Sequence, residues 1–150
     1  MLENATDFHY NYIKIFIMSN YILGISSIFF GACHLYAIIF YYNSLYNLLY
    51  LYYIGGVIIS IGNHFSEISV WKYGDRFIMT VGSLVNGYYI YEYCSYKLLP
   101  YCGIGLASIS YFASKITNNN SYHILCHGII TITHIFIILN ANSVKKLAPT

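Results

Sequence analysis

Five residues suited to metal binding and hydrolysis stand in a chain that otherwise contains few ionisable groups. Ser60, His64 and Asp75 fall within one short stretch, and His123 and His127 follow near the C-terminal end. Residues four positions apart lie on the same face of an α-helix, so the two later histidines have the spacing with which a pair of imidazoles chelates a metal. Ser60 and His64 share that spacing. The five residues therefore predict a metal centre.

The chemistry of such a centre follows from its ligands. Three histidines with a fourth position open to water form the ligand set of a catalytic zinc ion. We predict that His64, His123 and His127 bind the metal. Asp75 is placed to take a proton from the water or to orient it, and Ser60 to hydrogen-bond the water or a developing oxyanion.

Each of these residues, taken alone, also has a simpler interpretation. A single histidine inside a membrane helix is commonly an interhelical hydrogen-bonding group. Ionisable groups within membrane segments are costly, however, and usually face a functional cavity. Three histidines, a serine and an aspartate occur together here, so the set favours a metal site.

The composition indicates the elements that must position these residues. The chain has 150 residues, of which 58% are hydrophobic and only 8% charged, which is typical of a membrane protein. A bilayer core about 30 Å thick requires about 20 apolar residues per helix. This length predicts an all-α, polytopic transmembrane bundle that forms one domain over residues 1–150, with helices at about 15–40, 45–65, 77–93, 98–113 and 123–139.

The order of these helices brings the candidate residues together. Short polar connections make successive helices antiparallel, so the end of the second helix and the starts of the third and fifth helices lie on one side of the membrane. His64, Asp75 and the His123–His127 pair occupy those three positions. Tyrosines crowd several helix ends, among them Tyr41, Tyr42, Tyr46 and positions 88–96, and indicate the membrane interface.

Other residues receive smaller roles. His134 lies seven residues beyond His127, about 10 Å along a helix, which is too far to share the ion easily. His34 and Asn86 are predicted to be helix-contact residues. Glu67 is either an acceptor that fixes the tautomer of His64 or a solvated loop carboxylate. Glycines, in particular Gly55, Gly56, Gly82, Gly103 and Gly105, are expected to allow close approach of helices.

Charge and cysteine content exclude other classes of function. The net charge of +2 is too small and too scattered for a nucleic-acid surface, where basic residues must cluster. The four cysteines lie in or beside apolar stretches without a CxxC pair, so we predict neither a disulfide framework nor a thiolate zinc site. They are expected to be small core residues. The expected surroundings are the lipid bilayer, and the compartment is left open, with the endoplasmic reticulum or Golgi as one option.

At these residues the sequence resembles the alkaline ceramidase and adiponectin receptor superfamily of integral-membrane hydrolases. Members carry a serine one helical turn before a histidine at the end of the second helix, an aspartate at the start of the third and HxxxH in the last. Ser60, His64, Asp75, His123 and His127 match that pattern. The ten residues between His64 and Asp75 are similar to the alkaline ceramidase spacing.

The resemblance implies a zinc ion held by the three histidines, with Ser60 and Asp75 around the metal-bound water, and hydrolysis of a lipid amide such as ceramide. Two features depart from the family. Its members have seven membrane helices, whereas this chain has room for five, and the loss of one hairpin preserves the side on which the last helix starts. The calcium-binding acidic cluster of the ceramidases has only the segment "ENATD" as a counterpart.

Two alternatives remain open at this point. One is a noncatalytic membrane protein, either a degenerate relative or a small partner subunit, in which the histidines only brace the helices. The other is haem held between histidines of two helices, because bis-imidazole ligation permits it.

Overall fold

The described part of the protein is an all-helical bundle of five α-helices. Its structure, a computed structural model, describes the backbone of residues 3–66 and 68–145 and the side chains of residues 20–44, 46–66 and 68–140. A single 3₁₀ turn, Ser44–Tyr46, lies between the first two helices. The α-helices are α1 (Glu3–Phe40), α2 (Asn47–Phe65), α3 (Ser69–Tyr93), α4 (Leu98–Thr117) and α5 (Asn120–Lys145).

Three segments within these helices are long and apolar enough to cross a membrane. They are Asn20–Phe40 of α1, Asn47–Phe65, which is the whole of α2, and Asn120–Asn140 of α5. Each has 19 to 21 residues, close to the length that a bilayer core requires. The five-helix prediction is therefore confirmed as a count of helices, and membrane-spanning character is found for three of the five.

Several predicted boundaries were too narrow. The first helix begins at Glu3 instead of about residue 15, and α3 begins at Ser69 instead of residue 77. Hydrophobicity marks the part of a helix that suits lipid, whereas charged residues such as Lys72 and Arg76 are good helix formers and extend a helix beyond that part. As a result, Asp75 lies in the second turn of α3 and not at its opening.

The last two helices are also longer than predicted, and they form a tight hairpin. Asn118 adopts a left-handed conformation with φ 50° and ends α4. A residue of this kind closes a helix because an asparagine tolerates that region better than most side chains. The fifth helix begins two residues later at Asn120, so α5 starts directly beside the end of α4.

The main packing interfaces join α4 to α5, α1 to α2 and to α5, and α2 to α3, whereas α3 has few contacts with α4 or α5. Small residues allow close approach at some crossings: Gly82 lies against Tyr52, and Gly103 against Thr133. At both positions a Cβ atom would clash with the facing side chain. Gly55 and Gly105 face open space instead, so the prediction of close approach is wrong for those two.

The buried core lies at the end of the bundle opposite the candidate site. It joins the end of α1, the start of α2, the end of α3 and the later part of α5, through Leu49, Ile90, Ile137 and Ile138. Tyr46 and Tyr89 are 3% and 5% exposed and belong to this core. These two rings therefore pack inside the bundle, whereas Tyr42 and Tyr88 lie on its surface.

The four cysteines are free thiols, as predicted. Cys94 and Cys126 are buried and Cys33 is partly buried. Cys102 is exposed, so its assignment to the core is wrong. The apolar surface of α4 accounts for this position, because neighbouring Leu99 and Tyr101 are also exposed.

Candidate metal centre

Three histidines from two helices meet at one end of the bundle. His64 lies in the last turn of α2, and His123 and His127 lie one turn apart in the first turns of α5. The nitrogen that each offers lies within 4.8 Å of the other two. The ring centroids are 5.1 Å apart for His64–His123, 5.5 Å for His64–His127 and 4.8 Å for His123–His127. These three residues could hold a metal ion, as the sequence predicts.

The hydrogen bonding of His64 fits such a role. Its side chain is 9% exposed, and Nε2 has no hydrogen-bond partner among the described residues. A buried polar atom without a partner costs roughly 1–3 kcal/mol, so a native structure normally satisfies it. A cation between the three rings would give this nitrogen a partner.

Ser26 of α1 fixes the tautomer of His127. The Ser26 hydroxyl donates its single hydrogen to the carbonyl oxygen of Leu23 at 2.7 Å. It must therefore accept the contact of 3.0 Å with Nδ1 of His127, which places the ring hydrogen on Nδ1. The free lone pair is then on Nε2, so this is the nitrogen of His127 that could bind a metal ion. Such a support commonly orients metal-binding histidines.

Ser60 of α2 forms a hydrogen bond with Ser27, a second serine of α1. The Ser27 hydroxyl donates to the carbonyl oxygen of Leu23 at 3.1 Å, so Ser60 must donate to Ser27 across their separation of 3.3 Å. The lone pairs of Ser60 remain available. In this arrangement Ser60 can accept a hydrogen bond from water, and donation to an oxyanion would require it to leave Ser27.

Asp75 is buried at 8% exposure on the same side of the bundle. Its Oδ2 accepts a hydrogen bond of 2.9 Å from Nδ2 of Asn63, the residue before His64. Burial raises the pKa of the Asp75 carboxyl, while Lys115, the bond from Asn63 and Arg76 act in the lowering direction. A raised pKa suits a general base, because proton transfer is most effective near the working pH.

One cavity of about 160 Å³ connects these groups. Four of the five predicted site residues line it, namely Ser60, Asp75, His123 and His127. Its deeper wall is formed by apolar side chains of α4 and α5, including Ile104, Ala107 and Ile130. A cavity of this kind inside a helix bundle suits an amphipathic molecule with its polar part at the histidines.

A second polar cluster lies at the deep end of the cavity. The imidazole rings of His34 and His134 meet there, with Nε2 of His34 and Nδ1 of His134 at 2.8 Å. Asn86 bonds Nε2 of His134 at 3.1 Å, and Tyr53 donates to Oδ1 of Asn86 at 2.8 Å. The prediction that His34 and Asn86 are helix-contact residues is confirmed. His134 belongs to this cluster and not to the three histidines that could hold a metal ion.

The donor and acceptor of each hydrogen bond in this cluster can be assigned in order, beginning at His34. Nδ1 of His34 must donate to the carbonyl oxygen of Phe30 at 2.8 Å, since that oxygen only accepts. Nε2 of His34 therefore accepts from His134, and Nε2 of His134 accepts from the amide of Asn86. Both rings are neutral, and all four of their nitrogens have partners.

Sequence reasoning missed three residues that hydrogen-bond to the predicted site residues. Ser26 and Ser27 carry no spacing signal relative to the histidines, because they lie on a distant segment that only packing brings near. Asn63 adjoins His64 in sequence and could have been suspected as a partner for Asp75. Glu67, for which two roles were considered, lies outside the described residues.

The chain was compared with known proteins, and no family model, curated protein or solved structure matches it.

Replacing Ser26 by alanine tests its support of the metal centre. Loss of the nearer acceptor leaves Nδ1–H of His127 only the longer contact of 3.5 Å with the Ser27 hydroxyl, so the orientation and tautomer of the ring are held less firmly. We expect zinc affinity to fall about 10- to 100-fold, measured by competition with a chromophoric chelator. Ser114→Ala is the matched control, because Ser114 is buried and donates at 2.7 Å to the carbonyl oxygen three residues earlier, as Ser26 does. Equal zinc affinities in the two variants would show that Ser26 does not support the site.

Proposed function

We propose that this protein is an integral-membrane, zinc-dependent hydrolase of a lipid amide, with ceramide-like lipids as the substrate class. The observation that carries the proposal is the convergence of His64, His123 and His127, whose nitrogens lie within 4.8 Å of one another, together with the lack of a hydrogen-bond partner for Nε2 of His64 among the described residues. Three imidazoles form the ligand set of hydrolytic zinc sites.

In this proposal all five helices cross the bilayer. The third and fourth helices, with 25 and 20 residues, have sufficient length. Both expose large apolar side chains: Phe77 and Leu84 on α3, and a stripe on α4 formed by Leu106, Ile109, Phe112 and Ile116. Such surfaces suit contact with lipid. The span of α3 is assigned to residues 77–93, so that Asp75 lies at the membrane boundary.

Each of the five residues has a role in the proposed reaction. The three histidines would hold zinc, which supplies a Lewis acid for the carbonyl and makes water nucleophilic near neutral pH. Asp75 takes the proton from the attacking water, and its hydrogen bond from Asn63 holds the carboxyl in one orientation. Ser60 accepts a hydrogen bond from the same water. The cavity beneath the histidines receives the apolar part of the lipid.

If the three histidines only braced the helices, as in the noncatalytic alternative, their ring nitrogens should all be hydrogen-bonded to the protein. His34 and His134 illustrate histidines that brace helices, because each ring nitrogen has a protein partner. Among the three candidate metal ligands, by contrast, Nε2 of His64 has no hydrogen-bond partner in the described residues. This contrast within one chain supports metal binding over bracing.

Haem is also less consistent with the geometry. Bis-imidazole ligation places two rings on opposite faces of a wide, flat macrocycle. Here three imidazole rings lie directly against one another, two pairs edge-on and one tilted, with centroids 4.8–5.5 Å apart. The arrangement suits a small ion.

The proposal is tested with Asp75→Asn, which keeps the shape of the side chain and removes the base. We expect about one zinc per chain in both wild type and variant, and a fall in kcat for amide hydrolysis of about 10²- to 10⁴-fold in the variant. The measurements are metal analysis of detergent-purified protein, an absorbance scan for a Soret band and release of fatty acid from a ceramide-like amide. Absence of zinc, or zinc without hydrolysis in the wild type, would refute the proposal.

A further inference from the structure

The walls of the cavity carry hydroxyl groups that are almost all engaged. Ser83 donates to Met79 O at 3.0 Å, Ser108 donates to Ile104 O at 2.9 Å, and Tyr52 donates to Ile78 O at 3.1 Å. The hydroxyl of Tyr53 belongs to the cluster at the deep end, where it donates to Asn86. None of these groups needs a ligand to satisfy its hydrogen.

Thr131 differs from them. It lines the cavity, is 3% exposed, and its Oγ1 has no hydrogen-bond partner among the described residues. A threonine in a helix ordinarily donates to the carbonyl oxygen four residues earlier. Thr133, two residues further on, makes that bond to Ile129 O at 2.8 Å. Thr131 does not, although a buried hydroxyl without a partner destabilises the fold.

The position of Thr131 relates it to the metal centre. It follows His127 by four residues on α5, so the two side chains lie on the same face, about 6 Å apart along the axis. Ile130 and Ala107 make the adjacent wall apolar. A molecule whose carbonyl lies at the histidines would therefore place a group one helical turn deeper beside this hydroxyl.

We infer that Thr131 is a specificity-determining residue that hydrogen-bonds a hydroxyl of the lipid located within about 6 Å of the scissile carbonyl. The inference rests on the proposed function and adds to it a preference for amides that carry such a hydroxyl. Threonine suits this role because its hydroxyl both donates and accepts, so it can pair with the hydroxyl of a ligand in either direction.

The experiment uses two amides with identical acyl and alkyl chains, one with a hydroxyl two carbons from the amide nitrogen and one with hydrogen in its place. Thr131→Val removes the hydroxyl and keeps the shape. We expect kcat/KM for the hydroxylated amide to fall about 3- to 10-fold, with no change for the deoxy amide and no change in zinc content. Thr131→Ser should retain the preference.

Thr133→Val is the matched control, because it removes a hydroxyl that is already bonded within the helix. It should leave the ratio of the two kcat/KM values unchanged. An equal loss on both amides in Thr131→Val, or no loss on either, would overturn the inference.

A binding measurement separates failure of this inference from failure of the proposed function. If the wild type hydrolyses neither amide, hydrolysis is refuted, and equilibrium binding of the same pair to detergent-purified protein still tests Thr131. Tighter binding of the hydroxylated amide by the wild type, lost in Thr131→Val, supports the contact. Equal affinity for the two amides, or no binding of either, overturns it.

Discussion

Replacing His127 by alanine is expected to weaken zinc binding on the order of 10²- to 10³-fold and to abolish hydrolysis. The estimate follows from the binding free energy of about 10–16 kcal/mol that four-ligand zinc sites provide, of which one ligand contributes roughly a quarter. Purified wild type should contain about one zinc per chain, and the variant little or none after dialysis.

The effect should also appear in stability. A ligand that binds only the folded state raises the unfolding temperature, so added zinc should stabilise the wild type and leave His127→Ala unchanged. Cys126→Ala serves as the control, because Cys126 is the buried neighbour of His127 and lies outside the group that could hold a metal. Full zinc content in His127→Ala would place the metal elsewhere or exclude it.

Replacing Asn86 by leucine is expected to destabilise the folded protein by about 1–3 kcal/mol. The substitution leaves two buried groups without partners, the hydroxyl of Tyr53 and Nε2 of His134. Hydrogen bonds between membrane helices average about 0.6 kcal/mol, but here two bonds are lost and both remaining groups are deeply buried. The measurement is the free energy of unfolding in mixed micelles with increasing denaturing detergent.

A double-mutant cycle identifies the source of this loss. Tyr53→Phe removes the donor to Asn86, so the double variant should be less destabilised than the sum of the single variants, by at least about 0.5 kcal/mol. Ser108→Ala, which removes a hydroxyl bonded within its own helix, should have little effect. Additive losses would mean that Asn86 acts through packing instead of this network.

The residues that could be assigned from the sequence were those whose position depends only on counting helices. Antiparallel order places His64 and the His123–His127 pair on one side, and the structure brings their nitrogens within 4.8 Å. The starting point of α3 could not be obtained in this way, since a hydrophobic segment does not mark the first turn of its helix. Asp75 therefore lies further into α3 than expected.

Contacts between distant segments were beyond sequence reasoning. His34 and His134 were each assigned away from the metal, but their pairing across 100 positions depends on how α1 rotates against α5. Ser26 was missed for the same reason, because serines are common in membrane helices and the one that supports a ligand is selected by packing. Thr131 had a signal in its spacing from His127, but its lack of a partner appears only in three dimensions.

The tyrosine-rich core has a consequence for how a lipid could enter. Tyr46, Tyr50 and Tyr89 fill the end of the bundle opposite the histidines, with Leu49 and Ile90 fully buried between them. Under the proposed function, a bundle closed at this end would draw its substrate from one monolayer only. Lipid in the other leaflet has to flip across the bilayer first, so transbilayer movement, and not total membrane content, would set the supply.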